Sequence, residues 1–267
     1  MQNYSIFNLI KNAFTNHQNW DLAWKDPTPK KEYDVVIIGG GGHGLATAYY
    51  LAKEHNITNV AIIEKGWIGG GNVGRNTTII RSNYMHDENA LFSEFGMNLW
   101  RKMSQDLNYN VMFSPRGIIN LAHSDAQMNA YARRGNSMRL NGIDAVLLNR
   151  EQVKEIIPMA DFSENVRFPI FGGLMQPSAG TARHDAVAWG YARQADSMGV
   201  DIIQNCEVTG FDLSAGKIKG IRTSRGDIKV KKVGLCVAGS TNILAEKLNM
   251  TLPIETHLLQ ACVSEPV

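Results

Sequence analysis

The 267-residue sequence predicts an α/β protein, a Rossmann-like dinucleotide-binding domain interrupted by an inserted domain of α+β character. Three observations carry that expectation. A continuous, mostly β-branched run, Asp34-Val-Val-Ile-Ile38, leads into Gly39-Gly-Gly-Gly-His-Gly44 and then a helical pattern. A second run of buried type, Val60-Ala-Ile-Ile63, ends at an acid, Glu64. After residue 86 the strand–helix alternation breaks, and it resumes past residue 165.

Composition fixes the class. With 44% apolar residues the chain can build a sizeable core, and 19% charged residues with a formal net charge of +2 leave no excess of one sign to track nucleic acid or an anionic membrane. Three cysteines, Cys206, Cys236 and Cys262, form neither a CxxC pair nor a zinc spacing, so they read as reduced, buried and cytoplasmic. No metal site is expected: His86, His123 and His257 lack partners at ligand spacing, and His17 and His55 read as solvent-facing.

Taken in order, residues 1–32 are an extension and linker. Ile6, Phe7, Leu9, Ile10 and Phe14 make an amphipathic docking segment without the basic start or cleavage site of a signal, and Trp20 and Trp24 precede the Pro- and Lys-rich KDPTPKKEYD. Residues 33–86 are the first part of the nucleotide-binding domain, a βαβ unit with LATAYYLAKEH as its helix. Residues 87–165 are the first part of a substrate domain. There, ENALFSEFGMNLWRKMSQDL has helical spacing, GIINLAH reads as a strand, DAQMNAYARRGNSMRLNG as a helix, and Asn149-Arg-Glu-Gln152 as a capping box before VKEII. Met85, Met97 and Met103 read as packing residues.

Residues 166–250 return to the nucleotide-binding domain: a helix after Arg183-His184-Asp185, then VDIIQ, CEVTGFDL, KIKGIRTS, DIKVK and VGLCVAG as strands. Lys229, Lys231 and Lys232 read as a solvated face, and residues 251–267 as the start of a substrate-domain strand.

The glycine pattern Gly39-x-Gly41-x-x-Gly44 is weak alone, because the same glycines serve any tight strand-to-helix turn. Its setting between two buried strands, with an acid twenty residues past Gly44, makes it a dinucleotide fingerprint. Gly41 admits a pyrophosphate to the backbone, the helix N-terminus faces it, and Glu64 accepts from the ribose hydroxyls. His43 beside it fills space. A second glycine-rich loop, from Lys65 to Arg81, then offers backbone N–H groups, Asn72, Arg75, Asn76, Thr77 and Thr78 to a longer ligand, which points to FAD.

Three stretches together, DVVIIGGGGHGLATAYYLA, EKGWIGGGNVGRNTTIIRSNY and ARHDAVAWGYAR with VDIIQNCEVTGF, resemble the β subunits of heterotetrameric sarcosine oxidases, within the D-amino-acid-oxidase-like flavoproteins. The resemblance runs from about Trp24 to the C-terminus and implies an FAD-binding domain of the D-amino-acid-oxidase/glutathione-reductase type. It implies non-covalent FAD and covalent FMN, the latter attached through His184 with Arg183 beside it. It also implies sarcosine as substrate, electrons passing from FAD to FMN to dioxygen to give hydrogen peroxide, and the methyl carbon released as formaldehyde or methylenetetrahydrofolate. The partners implied are α, γ and δ subunits, with tetrahydrofolate and NAD on the large partner. By position it carries over FAD contacts at Gly41, Gly42, His43, Glu64, Asn72, Thr77, Ile79 and Val208; Gly39, Gly44, Lys65 and Gly239 complete the expected set. Proteins of this kind are longer, so the resemblance also implies that the C-terminal part of the substrate domain is missing here. Two rivals are another amine dehydrogenase of the same fold, acting on dimethylglycine or an opine, and a flavin-holding electron-transfer or assembly subunit.

The residues themselves leave His184 open. A histidine alkylated by a flavin must be a neutral imidazole; Arg183 and the helix N-terminus favour that form, whereas Asp185 opposes it or orients the ring. Equally, Asp185 caps the helix and His184 is a surface neighbour. Arg81 either pairs with a substrate carboxylate or forms a salt bridge to Asp87 or Glu88. The catalytic base is not assigned.

Overall fold

The computed structural model describes residues 5–18, 22–163 and 165–260. The chain divides into two compact units: residues 1–77, 107–111 and 184–267, and residues 78–106 and 112–183. The sequence reading placed the return to the nucleotide-binding domain at residue 166; residues 166–183 instead stay in the second unit, because a strand lies there that its helical and strand patterns did not announce.

In chain order the elements are α1 (Ile6–Phe14), β1 (Glu32–Ile38), α2 (Gly42–His55), β2 (Val60–Ile63), β3 (Ile79–Ile80), α3 (Asp87–Asp106), β4 (Ile118–Ala122), α4 (Asp125–Leu140), β5 (Val146–Asn149), α5 (Arg150–Ile156), β6 (Gly172–Gln176), β7 (Gly180–Thr181), α6 (His184–Ser197), β8 (Asp201–Ile203), β9 (Val208–Ser214), β10 (Lys217–Thr223), β11 (Gly226–Leu235) and α7 (Thr241–Glu246). No described helix is long and apolar enough to cross a membrane.

The first unit is built on a six-stranded sheet in the order β8-β2-β1-β11-β10-β9. Its four strands β8, β2, β1 and β11 run parallel, and β10 and β9 add antiparallel. Continuous Val/Ile runs suit the parallel strands because both faces are covered: all four residues of β2 are buried. DIKVK and the VGL that follows it are one strand rather than two, which ends at Leu235 before Cys236. The first half of β11 pairs β10 antiparallel and the second half pairs β1 in parallel from Glu32↔Lys229 to Ile38↔Leu235. Lys231 and Lys232, which broke the apolar pattern, are exposed, and Lys231 Nζ lies 2.5 Å from Asp34 Oδ1.

Helix α2 buries Gly44, Leu45, Ala48, Tyr49 and Ala52, a stripe at helical period, and Tyr49 meets Tyr191 of α6 edge to face at 5.4 Å. Asn56 ends α2 in the left-handed conformation. Helix α6 is buried on most sides, which its small residues permit: a Cβ at Gly190 would stand 3.1 Å from Leu107 Cδ1.

The second unit holds a three-stranded antiparallel sheet, β4-β6-β5, and the two-stranded pair β3-β7. The central strand β6, GGLMQ, escaped the sequence reading because its two glycines dilute the strand signal; a Cβ at Gly172 would lie 2.4 Å from Leu148 O, so the neighbouring backbones need glycine there. The capping box forms as expected, with Asn149 and Gln152 each accepting from the other's backbone N–H. Met97 and Met103 are buried, but Met85 is 74% exposed and is not a packing residue. No strand forms over residues 251–260, contrary to expectation, and residues 261–267, with Cys262, lie outside the described residues, as does Trp20. Helix α1 forms with all its apolar side chains exposed.

Candidate flavin site

Within the first unit the fingerprint glycines separate into two kinds. Gly39 has φ +108°, and a Cβ on it would sit 2.3 Å from Cys236 O; a Cβ on Gly44 would sit 2.0 Å from Gly39 O. The turn and the helix–strand approach alone demand glycine at both. Gly41 is different. Its backbone is extended (φ −86°, ψ −176°), open to any residue, and the nearest atom to an added Cβ is Val73 Cγ2 at 3.8 Å. No protein contact demands glycine at 41, the N-cap of α2, and the open space above it fits a ligand's diphosphate. Gly41 also provides no side-chain cap for α2, leaving the first-turn N–H groups for an anion.

Glu64, at the end of β2, is held by two backbone donors: Gly40 N to Oε2 at 2.7 Å and Gly66 N to Oε1 at 2.8 Å. Each carboxylate oxygen keeps a second lone pair, enough for a pair of ribose hydroxyls. A Cβ at Gly40 would lie 3.0 Å from Glu64 Cβ, so Gly40 and Gly66 are positioning residues that the sequence reading missed. The signal was there: four consecutive glycines exceed what the fingerprint requires.

The second glycine loop is anchored to this turn and to α6. Gly69 N donates to Gly40 O at 3.0 Å, Ile68 N donates to Gln204 Oε1 at 2.9 Å, and a Cβ at Gly69 would touch Ala188 Cβ at 3.4 Å. A 3-10 turn covers Asn72–Arg75. Asn76 Nδ2 donates to Val73 O at 2.7 Å, so its amide closes the loop. Asn72, Arg75 and Thr77 are exposed on the same loop, as are Lys65 beside Glu64 and His43 on α2. Val208 is buried at the start of β9, and Gly239 lies in a 3-10 turn where a Cβ would press on Thr256 at 3.0 Å.

Thr78 and Ile79 belong to the second unit. Thr78 has φ +62°, a strained conformation for a β-branched residue, and its carbonyl accepts from Ala182 N at 3.0 Å. Arg81 follows in the same unit. It forms no salt bridge to Asp87 or Glu88: Nη1 donates to Asn83 Oδ1 and the guanidinium lies 4.6 Å over the Tyr84 ring, while Asp87 accepts from Ser137 and Asn141.

His184 is the first residue of α6, the helix under Gly69. Its Nδ1 is buried and has no hydrogen-bond partner among the described residues. Asp185 Oδ1 accepts from Ala186 N at 2.8 Å. A buried polar atom left unsatisfied costs stability in either tautomer, and the orphan nitrogen fits a ring that completes its bonding with a ligand. Arg183, exposed, belongs to the second unit. Among the described residues no group of His, Cys, Asp and Glu is set to hold a metal.

Comparison with known proteins gives a consistent picture. The model of the FAD dependent oxidoreductase family matches residues 34–267. The chain is 59% identical to sarcosine oxidase subunit beta of Rhizobium meliloti over 98% of its own length and 63% of that protein, and 51% identical to the Rhodobacter capsulatus protein of the same name over 100% and 64%. It thus spans under two thirds of these relatives. Among solved structures, L-proline dehydrogenase from P. horikoshii superposes with a TM-score of 0.76 at 27% identity, over 83% of this chain and 57% of that one.

Proposed function

The chain belongs to the FAD dependent oxidoreductase family, and we propose that it forms the flavin-holding part of a sarcosine oxidase β subunit that binds FAD non-covalently and FMN covalently at His184. The observation that carries the two-flavin reading is the buried, unpartnered His184 Nδ1 at the head of the helix on which the glycine loop rests. The names of the relatives support the substrate, sarcosine, and a multi-subunit assembly; within that assembly the proposal adds α, γ and δ partners, with folate and NAD on the large partner. Free Cys206 and Cys236 suit a cytoplasmic protein.

When bound, FAD supplies the two-electron acceptor that takes a hydride equivalent from the N-methyl carbon, and FMN the second flavin from which dioxygen is reduced to hydrogen peroxide. The chain's own residues bind and orient. Backbone N–H groups at Gly41, Gly42 and the α2 terminus hold the diphosphate; Glu64, fixed by Gly40 and Gly66, holds the ribose. Lys65, Asn72, Arg75, Asn76 and Thr77 of the first unit, with Val208 and Gly239, would line the extended cofactor; Thr78 and Ile79 are assigned to it by the resemblance. Arg81 binds the substrate carboxylate. His184, at the head of α6, would provide the ring nitrogen through which the second flavin is attached.

The test uses the full-length assembled enzyme. Acid denaturation should leave one flavin on the polypeptide, recovered on a His184 peptide and lost in His184→Asn; flavin entirely in the supernatant sinks the covalent assignment. Peroxide and formaldehyde from sarcosine, measured against dimethylglycine and opines, separate the substrate rivals. Loss of all sarcosine oxidation without the folate-binding partner would favour an assembly subunit instead.

A further inference from the structure

The second unit sets two half-buried arginines against one buried asparagine. Arg81 Nη1 donates to Asn83 Oδ1, and Arg134 on α4 donates through Nη2 to the Asn83 carbonyl. Asn83 is fully buried and its Nδ2 donates to Asn120 Oδ1 on β4 at 2.8 Å, so every one of its recorded polar contacts belongs to this cluster. Arg134 Nε is itself buried and has no partner. Among the described residues neither guanidinium pairs with a carboxylate. The nearby acid, Glu94, is engaged elsewhere, accepting from Ser82 Oγ at 2.7 Å and pairing with Arg101 at 3.4 Å. Burial and the Arg81 charge both push the Arg134 pKa down from the ordinary arginine value, consistent with two like charges held close in partly desolvated surroundings.

Two guanidinium groups clamped on one buried asparagine cost free energy unless an anion arrives. We infer that Arg134 is a positioning residue for the carboxylate subsite: it pins Asn83, Asn83 holds the Arg81 fork, and the surplus positive charge is neutralised by a small monocarboxylate. The inference rests on the reading of Arg81 as the carboxylate contact and assigns that subsite a second arginine. Arg134 does not touch the substrate. Its removal leaves the Asn83 carbonyl unsatisfied, frees the Arg81 side chain and halves the local charge.

The experiment titrates the assembled full-length flavoenzyme with acetate and with acetamide, near-isosteres that differ in charge, following the visible flavin spectrum. Arg134→Met should weaken acetate about tenfold or more while leaving acetamide within about twofold, with sarcosine KM rising and kcat holding. Arg134→Lys, which keeps the charge but not the planar fork, should fall between, and it decides the matter if the Met variant does not assemble. Equal losses for both ligands, or unchanged acetate affinity in a fully flavinylated variant, overturn the inference. Arg81→Met separates the two levels. If it abolishes the acetate preference while Arg134→Met retains it, Arg81 stands and Arg134 alone is wrong; if Arg81→Met retains the preference, the Arg81 reading falls and this inference with it.

Discussion

Gly41 and Gly44 provide a controlled pair of alanine substitutions, because the same methyl group meets protein at one position and open space at the other. At Gly44 the new Cβ would lie 2.0 Å from Gly39 O and 3.2 Å from Gly39 C, so the helix must move off the strand. Overpacking of this kind costs about 1–3 kcal/mol or more, which for a protein of this size lowers Tm by roughly 3–10 °C. At Gly41 the nearest atom is 3.8 Å away and the backbone is extended, so Gly41→Ala causes no overpacking and costs the apoprotein only the weaker N-cap, up to about 1 kcal/mol. The methyl then falls where the diphosphate should rest. The same 1–3 kcal/mol now appears in binding, raising the FAD dissociation constant by about 5–150-fold. Thermal unfolding of the FAD-free full-length protein and FAD titration by fluorescence quenching measure both quantities on both variants. Gly41→Ala should shift affinity with the smaller loss of Tm, and Gly44→Ala should lower the apoprotein Tm by more. A Gly41→Ala apoprotein as unstable as Gly44→Ala, or unchanged FAD affinity, refutes the assignment of the space above Gly41 to the cofactor.

Three further outcomes follow from the geometry. Glu64→Gln leaves only one acceptor for the two donors Gly40 N and Gly66 N, so FAD affinity should fall about tenfold and the turn should lose stability; wild-type affinity would remove Glu64 from the ribose site. The Asp34–Lys231 pair should give a pH window. The hydrogen bond from Lys231, then that from Asn59, lowers the Asp34 pKa, so its contribution is present above the unfolded carboxylate value of about 4 and is lost as pH falls through the folded value. The Asp34 hydrogen bond raises Lys231, so that contribution is present below about 10.4 and is lost as pH rises through the folded value. The Tm difference between wild type and Asp34→Asn should therefore be small, salt-sensitive and confined to that window; a difference persisting at pH 2 contradicts it. Burial pushes the Cys236 thiol up, against a lowering hydrogen bond with Thr47, so alkylation of the Cys236 peptide by iodoacetamide at pH 8 should be slower than that of an unhindered cysteine, and equal rates would count against the burial.

What was legible in the sequence was legible because local chemistry decides it. The two buried strands, the glycine turn and the acid at 64 form one contiguous unit in which every choice agrees, and the first strand differs from expectation only in starting at Glu32, where pairing with Lys229 extends it. The boundaries that moved are those set by pairing at a distance. Strand β6 is a strand because β4 and β5 flank it, and its glycines conceal that; β11 is continuous because it changes partners midway, which no periodicity reports. Arg134 lay 53 positions from Arg81 on an exposed-looking helix, and only the fold brings both to Asn83.

The same distinction bears on His184. From its neighbours alone it is a helix-start residue beside an acid that accepts from Ala186 N. Its environment comes from the rest of the unit. Ala188 must be small because Gly69 rests on it, Gly69 N donates to Gly40 O, and Gly40 N donates to Glu64. The helix that bears the orphan nitrogen is thus tied, contact by contact, to the carboxylate proposed for the ribose. A displacement of α6 large enough to satisfy Nδ1 with protein would press Ala188 on Gly69 and disturb that carboxylate, so the fold tolerates the unsatisfied atom, at a cost of about 1–3 kcal/mol for a buried polar group. A ligand bonded at His184 removes that cost without moving the helix, which is the physical reason to place the second flavin there.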